Sequence, residues 1–181
     1  MRRALALALR GRGTTAPNPM VGAVVVQGGR VVGEGFTQPF GGAHAEVEAL
    51  RQAGDASRHA TVYVTLEPCA NHGRTPPCVD ALIAAGVARV VFAATDPNPT
   101  MRDGADRLRA AGIEVLSGVD AQSARDQNPA FFHRFTSDRP FVTLKLARSL
   151  DGAIADAQRR GGWLTGPAAR RVVHRQRAEH D

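Results

Sequence analysis

The chain is 181 residues long and carries 23 basic against 17 acidic side chains, a formal net charge of +6. Hydrophobic residues make up 43% and charged residues 22%, with a mean hydropathy of -0.21, so a buried core is affordable and a wholly disordered chain is excluded. No apolar run approaches the roughly 20 residues needed to span a bilayer, and the apolar stretch behind Met1-Arg2-Arg3 ends at Arg10 without a small-residue cleavage site, unlike a secretory signal.

Residues 4–9 therefore read as a short amphipathic helix, and the protein is expected in the cytoplasm. Residues 21–26 (VGAVVV) and 30–35 (RVVGEG) are β-branched runs joined through Gln27-Gly28-Gly29, a hairpin signal. Residues 45–53 (AEVEALRQA) are helix formers that stop at Gly54. A strand at 61–66 (TVYVTL) runs directly into Glu67-Pro68-Cys69, and a helix at 78–85 (CVDALIAA) ends at Gly86. A strand at 89–94, the turn Asp96-Pro97-Asn98-Pro99, a helix at 105–111, a strand at 113–116 and one helix over 123–135 follow. A hairpin followed by strand–helix–strand units predicts an α/β fold, a mixed sheet between helical layers. At residues 136–140 (TSDRP) this pattern ends and a new strand is expected at 141–147; the expected division is 1–138 and 139–181. The second part is too short for a core of its own.

The positive balance suits either a plain solvated surface or attraction for a phosphorylated small molecule or a nucleic acid. Cys69 and Cys78 are the two cysteines, and with no export signal they read as metal-binding or catalytic rather than as a disulfide. His44-Ala45-Glu46 joins them. One histidine and two cysteines are the ligand set of an open zinc site, which keeps a corner for water and lowers that water's pKa to about 7. Glu46, two residues after His44 at the start of a helix, is placed to move protons. The pattern is the H-x-E…P-C…C arrangement of zinc nucleobase deaminases, except that eight residues, 70–77, separate the cysteines instead of two. Two other readings stay open: a closed structural site with His72 as fourth ligand, and a metal-free pair of thiols.

Thr65-Leu66-Glu67-Pro68-Cys69, His72-Gly73-Arg74-Thr75-Pro76-Pro77-Cys78, Asp96-Pro97-Asn98-Pro99 and Asn18-Pro19-Met20-Val21-Gly22-Ala23 together resemble the deaminase half of the bifunctional riboflavin-biosynthesis deaminase–reductase family, within the cytidine/deoxycytidylate deaminase superfamily. The resemblance implies a cytidine-deaminase-like three-layer α/β/α sandwich with a truncated tail. The implied reaction converts 2,5-diamino-6-(5-phosphoribosylamino)pyrimidin-4(3H)-one and water to 5-amino-6-(5-phosphoribosylamino)uracil and ammonia. It implies one zinc ion per chain held by His44, Cys69 and Cys78, proton transfer by Glu46, and a substrate pocket lined by Asn18, Arg74, Asp96 and Asn98. Bland readings stand beside these: Asp96 and Asn98 are ordinary turn residues next to prolines, and Arg74 suits a solvated surface. Thr37 stands where many members of the family carry a histidine near substrate.

The tail resembles the opening of that family's reductase domain, in residues 139–145 (RPFVTLK), Ser149-Leu150-Asp151-Gly152 and Trp163-Leu164-Thr165. By that resemblance Ala147 and Trp163 would meet NADPH and Arg177 the substrate, with Gly161 where a serine is usual. With so little of that domain, productive NADPH binding and reductase activity are not expected, and a separate reductase polypeptide would supply the second step. The expected partners are a phosphorylated pyrimidine substrate and further copies of the chain, as a homodimer or larger. No membrane is expected among them. The alternative is a nucleoside or RNA-base deaminase of the same superfamily. With aromatics at 5%, one Trp and one Tyr, the chain is poor in the stacking side chains of nucleic-acid readers. A zinc-stabilised binding module without catalysis is the third reading.

Overall fold

The computed structural model describes residues 1–162 and 165–179, and the chain divides into two units, Met1–Arg139 and Pro140–Asp181. The first unit is a five-stranded sheet in the order β2-β1-β3-β4-β5, formed by β1 (Gly22–Gln27), β2 (Arg30–Phe36), β3 (Thr61–Leu66), β4 (Arg89–Ala94) and β5 (Glu114–Ser117). β1 runs antiparallel to both β2 and β3, whereas β3, β4 and β5 are parallel. The parallel strands are joined through α3 (Cys78–Ala84) and α4 (Gly104–Ala110), the crossovers that parallel pairing requires. The mixed sheet lies between helices, as the alternation of elements predicts.

Strand side chains alternate between two faces. Val25, Val62, Val64 and Val90 are fully buried and join Val79 and Leu82 of α3 and Leu108 of α4 in the main core. Val24, Val26, Tyr63 and Phe36 meet Ala4 and Leu7 of α1 (Arg2–Ala8) in a smaller cluster. α2 (Ala45–Ala53) packs on β2 and β1, beside α3.

Glycine decides how close α2 comes. A Cβ added at Gly33 would lie 2.1 Å from the Ala49 carbonyl oxygen, and one at Gly35 would lie 2.1 Å from that of Ala45. Both are backbone atoms of α2, so the helix rests directly on the bare main chain of β2.

The single helix expected over 123–135 is two, α5 (Ala121–Gln127) and α6 (Pro129–Arg134). Pro129 lacks an amide proton and drives the preceding residue away from helical backbone. Asn128 sits at φ -128, ψ 46, and its side chain accepts the Met20 N–H at 2.7 Å and donates to the Met20 carbonyl at 2.9 Å. The break thus ties residues 108 apart in sequence.

In the second unit the strand expected at 141–147 is not formed. A strand exists through its ladder, and among the described residues of this unit there is no strand for these residues to pair with; Val142, Leu144 and Leu146 are exposed. The unit instead carries α7 (Pro167–Ala178), which begins on proline. No helix among the described residues is long and apolar enough to cross a membrane.

The close seating of α2 predicts that Gly35→Ala lowers stability by about 1–3 kcal/mol, the usual cost of overpacking. Gly161→Ala, whose Cβ would meet nothing within 4 Å, should stay within about 0.5 kcal/mol of the parent. Urea denaturation reads both; an unchanged midpoint for Gly35→Ala would show that the helix is not seated as described.

Candidate metal centre and cleft

The candidate site lies beyond the carboxyl ends of the parallel strands, where open α/β sheets place their ligands. Leu66 pairs with Ala94 at the last register position of β3 and β4, and the Glu67 N–H donates to the Ala94 carbonyl at 2.8 Å. The two strands therefore deliver Cys69 and Asp96 side by side. His44 is the residue capping α2, with extended backbone (φ -75, ψ 160), and Glu46 lies in the first turn. Cys78 opens α3 directly after Pro77.

These placements converge. The ligand atoms of His44, Cys69 and Cys78 all lie within 4.8 Å of one another. His44 Nδ1 is 3.1 Å from Cys78 Sγ and 3.6 Å from Cys69 Sγ. A tetrahedral zinc centre, with Zn–S near 2.3 Å and Zn–N near 2.0 Å, places nitrogen and sulfur about 3.5 Å apart. The three donors fit such an ion in spacing and in chemical type. His72 is exposed and does not join them, so the four-ligand set that includes it is not assembled here.

The electrostatics suit a cation. The Cys78 side chain, followed by His44 and the Cys78 N–H at 3.2 Å, draws the Cys69 thiol down to about 4, toward thiolate. Cys78, hydrogen-bonded to that sulfur and buried beside it, is pushed up. Hydrogen bonding to Cys69 raises His44 against the opposing effect of burial. Glu46 is 4% exposed, and burial, opposed by the His44 charge, lifts its carboxyl to about 7. A carboxyl near neutrality can both take up and release a proton at neutral pH.

His44 and Cys69 line a cavity of about 190 Å³ that also receives Asn18, Thr37, Glu46, Arg74, Asp96 and Asn98, with Cys78 buried behind them. Every substrate residue suggested by the sequence resemblance thus reaches one cleft. Asp96 is buried and its carboxylate accepts the Asn98 N–H at 2.8 Å, so the turn geometry and the cleft position coexist. Arg74 is exposed and its guanidinium lies over the Phe40 ring, 4.3 Å from the centroid, which holds a cation at the cleft mouth. The Thr37 hydroxyl accepts the Val21 N–H at 3.2 Å, so it joins the Asn18 loop to the end of β2. Of the tail residues, Ala147 lies in an irregular exposed stretch, Arg177 is exposed on α7, and Trp163 falls outside the described residues.

Several supporting residues escaped the sequence reading. Glu67 is buried, and its two carboxylate oxygens accept the Asp96 N–H at 3.3 Å and the Ala105 N–H at 3.2 Å. It fixes both the Asp96 turn and the start of α4. Asn128 moors the Asn18 loop, and Phe131 of α6 lines the cleft. A carboxylate directly after a buried strand was the available signal for Glu67; Asn128 gave none beyond its position before proline.

The family profile described as the cytidine and deoxycytidylate deaminase zinc-binding region matches residues 1–94, and that of the RibD C-terminal domain matches residues 140–181. The riboflavin biosynthesis protein RibD of Escherichia coli K12 is 54% identical over 180 residues, spanning 99% of this chain and 49% of its own. The RibD of Aquifex aeolicus is 51% identical over 180 residues, 99% of this chain and 51% of its own. The chain therefore spans about half the length of these curated relatives. The solved structure of Acinetobacter baumannii RibD superposes with a TM-score of 0.91 at 48% identity, over 98% of this chain and 50% of that one. An Aspergillus oryzae Rib2 deaminase shares the fold alone, with a TM-score of 0.59 at 24% identity over 75% of this chain and 91% of that one.

Burial, assisted by the Glu67 and Cys69 charges, pushes the Asp96 carboxyl up to about 6, above its ordinary 3.8. The folded chain thus holds this proton more tightly than the unfolded one. The resulting stabilisation is present in full below pH 4 and is lost as pH rises through 6. Between pH 4 and pH 7 the zinc-free protein should lose about 2–3 kcal/mol of stability relative to Asp96→Asn. Urea denaturation of both proteins at the two pH values checks this, and a constant difference would refute it.

Proposed function

Because the chain belongs to the cytidine and deoxycytidylate deaminase family and is matched by RibD proteins over 99% of its length, we propose that it is a zinc-dependent pyrimidine deaminase of riboflavin biosynthesis, acting on the phosphoribosylated diaminopyrimidinone. The carrying observation is the assembly of His44, Cys69 and Cys78 in one cluster, beside a cleft lined by His44, Cys69 and buried Glu46. His44 Nδ1 and the two cysteine sulfurs would hold the ion. Zinc so held supplies a Lewis acid that makes water a nucleophile at neutral pH.

Glu46 does the proton work. Its carboxylate takes a proton from the attacking water and gives it to the ring nitrogen, then takes the proton of the new hydroxyl and gives it to the amine nitrogen as the carbon–nitrogen bond breaks. Water and substrate become the ring carbonyl and ammonia, with no net proton gained or lost by the carboxyl. The Asn18 and Asn98 amides and the Asp96 carboxylate offer donors and acceptors to a pyrimidine edge. Arg74, held over Phe40, presents a forked cation to the phosphate.

Ammonia release from the phosphoribosylated diaminopyrimidinone tests the reading directly: activity should vanish with a zinc chelator and return with zinc. No release from the zinc-loaded protein would refute it, and release from cytidine alone would redirect it to nucleosides. Glu46→Ala should lose about 10²–10⁴-fold in turnover while retaining its zinc. Arg74→Ala should raise KM for the phosphorylated substrate by roughly 10–100-fold and leave the dephosphorylated analogue unaffected, the scale of one charge-assisted contact.

A further inference from the structure

The eight residues between the cysteines do more than span a distance, and one of them reaches the metal-binding imidazole from behind. We propose that Thr75 is a positioning residue for the metal centre: its hydroxyl accepts the Nε2–H of His44 and holds the ring in the tautomer whose Nδ1 lone pair faces the two cysteine sulfurs. The inference rests on the zinc reading above.

A neutral imidazole carries one proton on two nitrogens, and the hydrogen bond at one nitrogen decides what the other offers a metal. Here the two sides of the ring are distinct. Nδ1 faces Cys78 Sγ at 3.1 Å and Cys69 Sγ at 3.6 Å. Nε2, on the far side, faces Thr75 Oγ1 at 3.3 Å. With Nδ1 committed to the ion, Nε2 must carry the proton, and a hydroxyl is the acceptor present.

The chain makes this acceptor stiff. Thr75 precedes Pro76, and Pro76 precedes Pro77, so both residues are confined to extended backbone. Pro77, at φ -59 and ψ 135, leads directly into Cys78. The hydroxyl and the Cys78 sulfur, three residues apart, therefore engage opposite nitrogens of one ring across a segment with little torsional freedom. The start of the same segment is moored independently: the Ala70 N–H donates to the Met101 carbonyl at 3.2 Å, and the Asn71 amide to the Thr100 carbonyl at 2.7 Å. Thr75 is half-buried, so water competes only in part for the Nε2–H.

Zinc affinity, read by competition with a chromophoric chelator, tests the role without reference to turnover. Thr75→Val, which keeps the shape and removes the oxygen, should weaken zinc binding by about 10–100-fold, the usual cost of losing such a partner. Thr75→Ser should stay within a few-fold of the parent. Parent-like affinity in Thr75→Val, or equal weakening in both variants, would overturn the proposal. The parent protein gives a measurement independent of variant folding. Nitrogen-15 NMR of the zinc-loaded chain should show His44 protonated at Nε2 with Nδ1 ligating, and the reverse pattern would overturn the assignment. Failure of the parent to bind zinc at all would instead fell the functional reading itself.

Discussion

The seating of α2 on the glycines of β2 is the contact on which the site depends. His44 and Glu46 lie at one end of that helix, and their reach is set by how closely its axis approaches the sheet. Main chain against main chain, with no side chain between, is the closest approach available, and Gly33 and Gly35 permit it at two successive positions on the same face. The other two candidate ligands come from the segment that runs from the end of β3 to the start of α3. Cys69 follows β3, and Cys78 begins the helix that returns toward β4. The candidate metal cluster is therefore the meeting of two helix starts with one loop beyond a parallel strand pair. Rigid elements, not the loops alone, determine its dimensions.

Burial then gives the same residue types different tasks. Cys69 and Cys78 are both enclosed, yet donors from its partner bring one sulfur toward the anion while the other retains its proton without a cation. Glu46 is enclosed with few donors of its own and stays near neutrality. Glu67, equally enclosed, spends its oxygens on two backbone amides and serves as scaffold. Three carboxylates line the cleft in Glu46, Glu67 and Asp96, and what each oxygen accepts separates a candidate proton carrier from a brace and from a candidate substrate contact.

Much of the fold was legible because its signals are local. Helix 45–53 and strands 61–66 and 89–94 fall at the expected residues, since each has a clear periodicity and a glycine, proline or polar turn at its end. The clustering of His44, Cys69 and Cys78 was legible because few chemistries call for one histidine and two cysteines beside a His-x-Glu. The misses were long-range. No local pattern near 123–135 announces that Asn128 will give its side chain to Met20, and that bond accompanies the helix break. The apolar alternation at 141–147 resembles a strand, but a strand needs a partner, which its own residues cannot encode. Glu67 and Thr75 were visible as motif letters; their roles emerged only when the loops folded back.

The Asn128–Met20 bond also orders events during synthesis. The three candidate metal donors are all polymerised by residue 78, while the clasp on the Asn18 loop waits for residue 128. On the elongating polypeptide the candidate ligand set is thus complete before the side chain that moors the Met20 end of the cleft wall has been added, so the two parts of the site are synthesised in a fixed order.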